Sequence, residues 1–420
     1  NEYIKLKDLN KQLIVSPPLK SPLLVTPQGT ASKFLNIKIL DTLNDNTTYI
    51  INFGNAIEDN NENNKLESFK YVFSTGKYID SLTSKGKVKD AYLEELPKNT
   101  NVLLYKIDSS FNDSIIYKRK PNYVTSTLDT SIYNLTNLKE GKYLMIALKE
   151  STNDYIFNPK LDKIGFLKDT ITLPKDSIIK KPLILFKEIQ TYNFKRGKEI
   201  SKGKIAFGFE GEAKNLKVKI ISDVSTDFKS VSKFETDKDT LNYWFTPIEA
   251  DSLNFIVTNN KIVDTITVKL RKKKTDSLTF KSSTNRTLHL RDTFFISTNN
   301  PIVKIDTSKI TFTNKLEDYG RITMNIVNKS SKNLIIELLE GKDKDKLVER
   351  RFIKESKNLI FNLLEPKTYY IRAIIDDNKN NKWDTGNYLL KLQPERIIYY
   401  TEELEVRANY YLDGNVFVIG

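Results

Sequence analysis

Short runs in which apolar and polar residues alternate recur along the whole chain, among them FLNIKIL, TTYIINF, NVLLYKI, KYLMIAL, KIAFGFE, NLKVKII, LNFIVTN, TITVKL, KITFTN, RITMNIV and NLIIELL. A period of two puts every second side chain on one face of an extended strand, so each run predicts a strand with one buried face. Between the runs stand turns rich in Asn, Asp, Gly and Lys. Asn, Asp and Gly accept left-handed or Asx-type backbone. Helical periodicity is scarce, which leaves nothing to cross over between parallel strands. The pattern predicts an all-β chain of tandem sandwiches.

Length and composition divide that chain. Its 420 residues exceed one ordinary core, and 39% apolar residues suffice for several. The length prior suggests about three domains, and the resemblances given below, with an unassigned stretch of strands between them, mark four segments, 1–77, 78–190, 191–283 and 284–420. No stretch is apolar for the length of a transmembrane helix. No signal peptide is visible, but the chain opens at Asn1 without Met, so a removed export signal or an anchor segment would not be seen in it.

The chemistry available is narrow. Cysteine is absent, which excludes disulfides, thiolate zinc sites and thiol nucleophiles. The one histidine, His289 in TLHLRD, has alternating neighbours that predict a strand and a structural role. A Ser-His-Asp triad would have to use it, and no GxSxG elbow is present. Two carboxylates alone can hydrolyse glycosides, but 53 acidic residues nominate no pair. The expectation is a protein that is not an enzyme. A formal charge of +14 raises nucleic acid as a partner, yet the lysines are interleaved with Asp and Glu along the chain. The one dense run is Arg271-Lys272-Lys273-Lys274. A solvated basic surface with no nucleic-acid partner is the reading.

An internal repeat is the most informative feature. LKEGKYLMIALKESTNDYIFNPK lies without gaps on LEPKTYYIRAIIDDNKNNKWDTG, placing Leu138 on Leu364, Tyr143 on Tyr369, Ala147 on Ala373 and Phe157 on Trp383. Beyond a loop of different length, KIGFLKDTITL lies on RIIYYTEELEV, with Ile164 on Ile397, Phe166 on Tyr399, Ile171 on Leu404 and Leu173 on Val406.

The later copy contains a loop with metal-like spacing. Asp376, Asn378, Asn380 and Asp384 stand at offsets 1, 3, 5 and 9 of a calcium loop and could supply carboxylate and carboxamide oxygens. Position 6 is Asn381 and position 12 is Asn387, so the usual bidentate acid is missing. The earlier copy carries Glu150, Thr152, Asp154 and Asn158, a poorer donor set, but keeps the aromatic residue. Three readings stay open: a loop held by Asx turns and one buried aromatic, a calcium site in the later copy alone, or a partner contact. No cofactor is required on the first and third.

Three resemblances rest on particular residues. LNDNTTYIINF followed by YVFSTG, in the first segment, resembles the bacterial Ig-like domain first described in S-layer proteins, whose first strand would precede Asn1. Leu135, Leu138, Gly141 and Tyr143, with NVLLY ahead of them, resemble a transthyretin-like or carboxypeptidase-regulatory sandwich, a non-catalytic module. Pro301, Ile302, Asp306, Ser308 and Ile310 again resemble the Ig-like family. With the tail DDNKNNKWDTG, QPE and EVRANY, the chain resembles Ig-like-domain envelope lipoproteins of Bacteroidota. That resemblance implies an outer-membrane anchor through a lipidated cysteine ahead of this sequence, on the cell surface or the periplasmic face. It also implies protein partners at that membrane, a β-barrel among them.

The function expected is therefore a non-catalytic scaffold or accessory subunit of an outer-membrane complex, such as the protein-assembly or secretion machinery. The alternative is a glycan-binding or adhesive surface protein. Its aromatic platforms would be Trp244 and Trp383, the only tryptophans, whose contexts favour burial.

Overall fold

The computed structural model describes every residue except 1, 68, 236–237, 272–273, 285–287, 307–318 and 342. The strand expected at KITFTN, the Ser308 and Ile310 of the second Ig-like resemblance, and Lys272 and Lys273 lie outside the described residues. The chain is all-β. Among the described residues its helices are a four-residue turn at Leu9–Gln12 and a 3-10 turn at Asp113–Tyr117.

In the first segment Ile14–Ser16, Thr48–Asn52 and Lys70–Ser74 form a three-stranded antiparallel sheet. Alternation puts Tyr49 and Ile51 inward, and Ile51 packs with Val25, Phe53 and Ile57. Tyr49 stacks on Phe73, directly across the ladder, with ring centroids 5.5 Å apart.

The second segment is a sandwich of two sheets. One runs Ile132–Leu138, Leu82–Asp90, Leu183–Leu185, the last strand parallel to the middle one. The other runs Tyr123–Ser126, Asn101–Lys106, Gly141–Lys149, Lys163–Phe166, with Ile171–Leu173 also on Gly141–Lys149. Both faces of Asn101–Lys106 and Gly141–Lys149 are buried. Val102, Leu104, Met145 and Ala147 point into the sandwich, while Leu103, Ile146 and Leu148 point out into a second apolar layer. Fully burying one such side chain is worth about 1.5–3 kcal/mol.

The fourth segment repeats this topology strand for strand. Lys357–Leu364, Gly320–Asn328 and Tyr411–Ile419 make one sheet, again with the last strand parallel to the middle one. Lys346–Ile353, Asn333–Glu340, Thr368–Asp376 and Ile397–Tyr399 make the other, with Leu404–Glu405 on Thr368–Asp376. The registers carry the correspondence seen in the sequence. Ala147 faces Gly165 and Ala373 faces Ile398, which puts Ile164 with Ile397; Tyr143 faces Ile171 and Tyr369 faces Leu404. Each tyrosine hydroxyl donates to the carbonyl four residues back, Tyr143 to Lys139 at 3.0 Å and Tyr369 to Glu365 at 3.1 Å. A buried phenol needs an acceptor, and this corner supplies it in both copies.

Between the two copies stands a third sandwich. Its sheets are Asn193–Ser201, Lys204–Glu210, Thr240–Phe245, Ser230–Phe234 and Lys217–Ile220, Ser252–Asn259, Ile262–Lys269. Phe207, Tyr243 and Phe255 meet edge-to-face at its centre. The runs KIAFGFE, NLKVKII, LNFIVTN and TITVKL supply four of its strands, and Thr240–Phe245 with the edge strands Asn193–Ser201 and Ser230–Phe234 complete the sheets. After it comes a hairpin of Phe280–Ser282 and Ile296–Thr298.

One expectation is corrected here. His289 is not on a strand: it lies just before a turn, half-exposed, with Nδ1 2.6 Å from Oε1 of Glu365. Alternation over six residues mimicked a strand, but none of the five described ones, 288–292, belongs to a ladder.

Candidate functional site

The segment after Thr368–Asp376 is where the two copies diverge in use. Asp376 ends that strand and is 1% exposed. Its carboxylate accepts from the backbone N–H groups of Asn380 at 3.1 Å and Asn381 at 2.9 Å, closing an Asx-type turn. Lys379 and Asn381 adopt positive φ of 63° and 61° to make it. Asn378 and Asn380 each donate their side-chain N–H to Oδ2 of Asp384, both at 2.6 Å. The four residues of the calcium-like spacing are therefore brought together.

Glu395, 7% exposed, closes the loop from the far side. Its carboxylate accepts from the backbone N–H of Asp377 at 2.8 Å and of Asp384 at 3.0 Å. Burial raises its pKa, the two amides oppose this, and the carboxylates of Asp384 and Asp376 add to the rise. The carboxylates of this loop face N–H donors. For calcium to enter, the carboxamides of Asn378 and Asn380 would have to present oxygen instead of nitrogen to the space beside Asp384. Among the described residues no group of three or more His, Asp or Glu has metal-ligand spacing.

The loop then leaves its own sandwich. Trp383 donates its indole N–H to the Glu395 carbonyl at 3.0 Å and lies against Tyr92 of the second sandwich, ring centroids 4.8 Å apart. Thr385 donates to the Lys187 carbonyl at 2.8 Å. Tyr388 is fully buried among Leu103, Ile146, Phe166 and Phe186 of the second sandwich. Its backbone N–H donates to Glu188 at 2.6 Å, and Gln393 donates to the Phe166 carbonyl at 2.9 Å. Gly386 fits because a Cβ there would stand 2.7 Å from the Phe186 ring and the Leu392 carbonyl.

A second contact runs the other way. Arg372, 2% exposed, donates Nε to Glu337 at 2.7 Å, Nη2 to the Tyr92 hydroxyl at 2.6 Å and Nη1 to the Tyr399 hydroxyl at 3.1 Å. Its guanidinium also lies 4.1 Å from the Tyr92 ring centroid. Burial opposes the charge, but the Tyr399 hydroxyl and the Glu337 carboxylate outweigh it, so the Arg372 pKa is raised. The registers place Arg372 and Glu337 at the positions that Ile146 and Leu103 hold in the second sandwich. An apolar cross-strand pair in one copy is thus an ion pair in the other, and its spare donors reach Tyr92.

In the earlier copy the equivalent loop folds back on its own sandwich. Glu150 takes the place of Asp376 and accepts from the N–H groups of Asp154 and Tyr155, both at 3.1 Å. Burial pushes its pKa up to about 7, with Asp154 contributing. Phe157 is buried beside Tyr117.

Sequence reasoning missed Glu395, Tyr388, Glu337 and Arg372. The signal for the last two was present: single charges inside NLIIELL and YYIRAII, on strands that alternation makes neighbours. Of the tryptophans, Trp383 is occupied in this junction. Trp244 is half-buried on its strand with the Lys204 ammonium 5.1 Å from its ring centroid.

Comparison with known proteins gives one family. Residues 1–75 match the bacterial Ig-like domain, the family whose likeness the NTTY and FSTG motifs carry. No curated protein matches the chain. Among solved structures it is similar to domains 1–6 of surface layer protein SbsC, at 8% identity over 96% of this chain and 63% of that one, with a TM-score of 0.16. It is also similar to the major pilin subunit of Bacillus cereus, at 11% identity over 80% and 100% of the two chains with a TM-score of 0.17. A marsupial T cell receptor matches at 11% identity over 61% and 82%, with a TM-score of 0.14. Scores this low carry no argument.

Proposed function

We propose that this chain is a non-catalytic scaffold of the bacterial cell envelope, an accessory subunit that presents β-sandwich surfaces to an outer-membrane protein complex. The observation that carries the reading is the junction at residues 376–396. Sandwiches two and four, separated in sequence by the third, are locked through a fully buried tyrosine, a buried arginine and hydrogen bonds between side chains and backbone. A chain that fixes domains far apart in sequence gains a rigid framework, which suits holding partners at set positions. The bacterial Ig-like domain at residues 1–75 supports a place at the envelope. That domain also docks on the second sandwich: Ile14 joins its outer apolar layer, and the Val124 N–H donates to the Ser16 hydroxyl at 3.0 Å.

A surface glycan binder is the second reading. It needs free aromatic platforms, and Trp383 is engaged with Tyr92 and Glu395, so the scaffold reading is preferred. The test is recovery of the tagged protein from its own membranes in mild detergent. A stoichiometric set containing an outer-membrane β-barrel is expected. Recovery as a lone monomer would overturn the reading.

A further inference from the structure

The locked junction leaves an open cleft of about 890 Å³ between the second sandwich and residues 393–397 of the fourth. Its floor is apolar and includes Ala91, Ile178, Ile184 and Ile397. Ile178 is 61% exposed. Its rim carries the exposed ammonium groups of Lys89, Lys168, Lys180 and Lys181. None of these four makes an ion pair or a side-chain hydrogen bond with another described residue.

The acids that line the cleft are mostly spoken for. Asp90 is paired with Lys163 at 2.6 Å. Asp176 accepts from the Thr172 N–H at 2.7 Å, and Glu395 is held by the two amides described above. Asp169 is the one exposed carboxylate opposing the lysines there.

Lys89 also ends a row of exposed cations and is the member of that row that lines the cleft. Lys85, Lys87 and Lys89 are exposed on one face of Leu82–Asp90, and Ile178 pairs alongside Lys85. Alternate residues of a strand lie about 7 Å apart. Ile184 is the register partner of Lys89, so ammonium and apolar side chains share one face, and an acidic segment with apolar residues among its carboxylates can meet both together. Single-stranded nucleic acid matches charge but needs aromatic stacking platforms, and the one aromatic ring lining the cleft, Phe166, is 2% exposed.

We propose that this cleft is a docking site for an extended acidic segment of a partner protein, with carboxylates on the Lys89, Lys168, Lys180 and Lys181 ammonium groups and apolar residues on the Ile178–Ile184–Ile397 floor. The inference goes beyond the envelope reading and does not depend on it, because it can be tested on the purified chain alone. The probe is a fluorescein-labelled peptide alternating Glu and Val, followed by anisotropy. Binding is expected to weaken at least about tenfold between low and physiological salt. It is also expected to be lost in the triple variant Lys89→Glu/Lys180→Glu/Lys181→Glu, and to fall in Ile178→Asp. Both variants alter exposed side chains, and their folds are checked by circular dichroism. Undiminished binding to the triple variant, or equal binding of a Lys–Val peptide, would overturn the proposal. So would absence of peptide binding, including the case in which anionic phosphatidylglycerol vesicles bind instead.

Discussion

Tyr388 of the fourth sandwich meets Phe166 of the second edge-on, with ring centroids 5.4 Å apart and planes at 86°. More than two hundred residues and a whole sandwich separate the two in sequence. The contact is the centre of the junction, and what surrounds it can be taken apart one group at a time.

Tyr388→Ala removes a fully buried ring and should cost about 3–5 kcal/mol, as large aromatic truncations do. Tyr388→Phe should be nearly neutral, because the hydroxyl's partner Asp113 is 3.4 Å away and exposed. Thermal melting of both variants checks this. Equal loss in both would assign the stability to the hydroxyl instead of the ring.

Arg372→Met leaves the buried Glu337 with one of its two cations, Arg350, whose Nε donates to Oε1 at 2.7 Å, and should cost about 1–3 kcal/mol, less than a fully stranded charge would. Arg372→Ile together with Glu337→Leu installs the apolar pair of the second sandwich and should recover most of that loss. A double variant as unstable as the single one would mean that the Tyr92 contact, and not the half-paired carboxylate, is what matters.

Glu150 has a folded pKa of about 7 against an ordinary value of 4.5. The folded state holds that proton more tightly, so its stabilising contribution is full below about pH 4.5 and is lost as pH rises through 7. Glu150→Gln should flatten this part of the stability profile, measured by urea titration from pH 4 to 8. An unchanged slope would contradict the assignment.

Asp376→Ala strips the acceptor from two backbone amides and should cost about 1–3 kcal/mol. The loop is closed by N–H donors on its own carboxylates, so the parent protein should melt at the same temperature in calcium and in EGTA. A rise with calcium that Asp384→Asn abolishes would instead assign a metal to the loop.

Much of the fold could be read from the chain because strand alternation is strong wherever a face is buried. The repeat was legible through Leu138, Tyr143 and Ala147 and their counterparts, whose roles in the core and the tyrosine corner restrict substitution. Ser230–Phe234 was not legible, since all five of its residues are exposed and no buried face sets a period. His289 failed for the opposite reason: alternation without a partner strand makes no ladder. At the loop, hydrogen bonds within the segment bring Asp376, Asn378, Asn380 and Asp384 together. Nothing local distinguishes Tyr388 from an exposed loop tyrosine, because the core that buries it belongs to another sandwich. Long-range docking of that kind is set by shape, not by period.

The absence of cysteine makes a direct test of the junction simple. Spin labels on Lys142→Cys in the second sandwich and Lys357→Cys in the fourth, both exposed strand positions, report the distance between the copies by double electron–electron resonance. A single narrow distance distribution in the parent protein, broadened by Tyr388→Ala, is the predicted result. A broad distribution in the parent protein would mean that the two sandwiches move independently, and would contradict the rigid framework on which the scaffold reading rests.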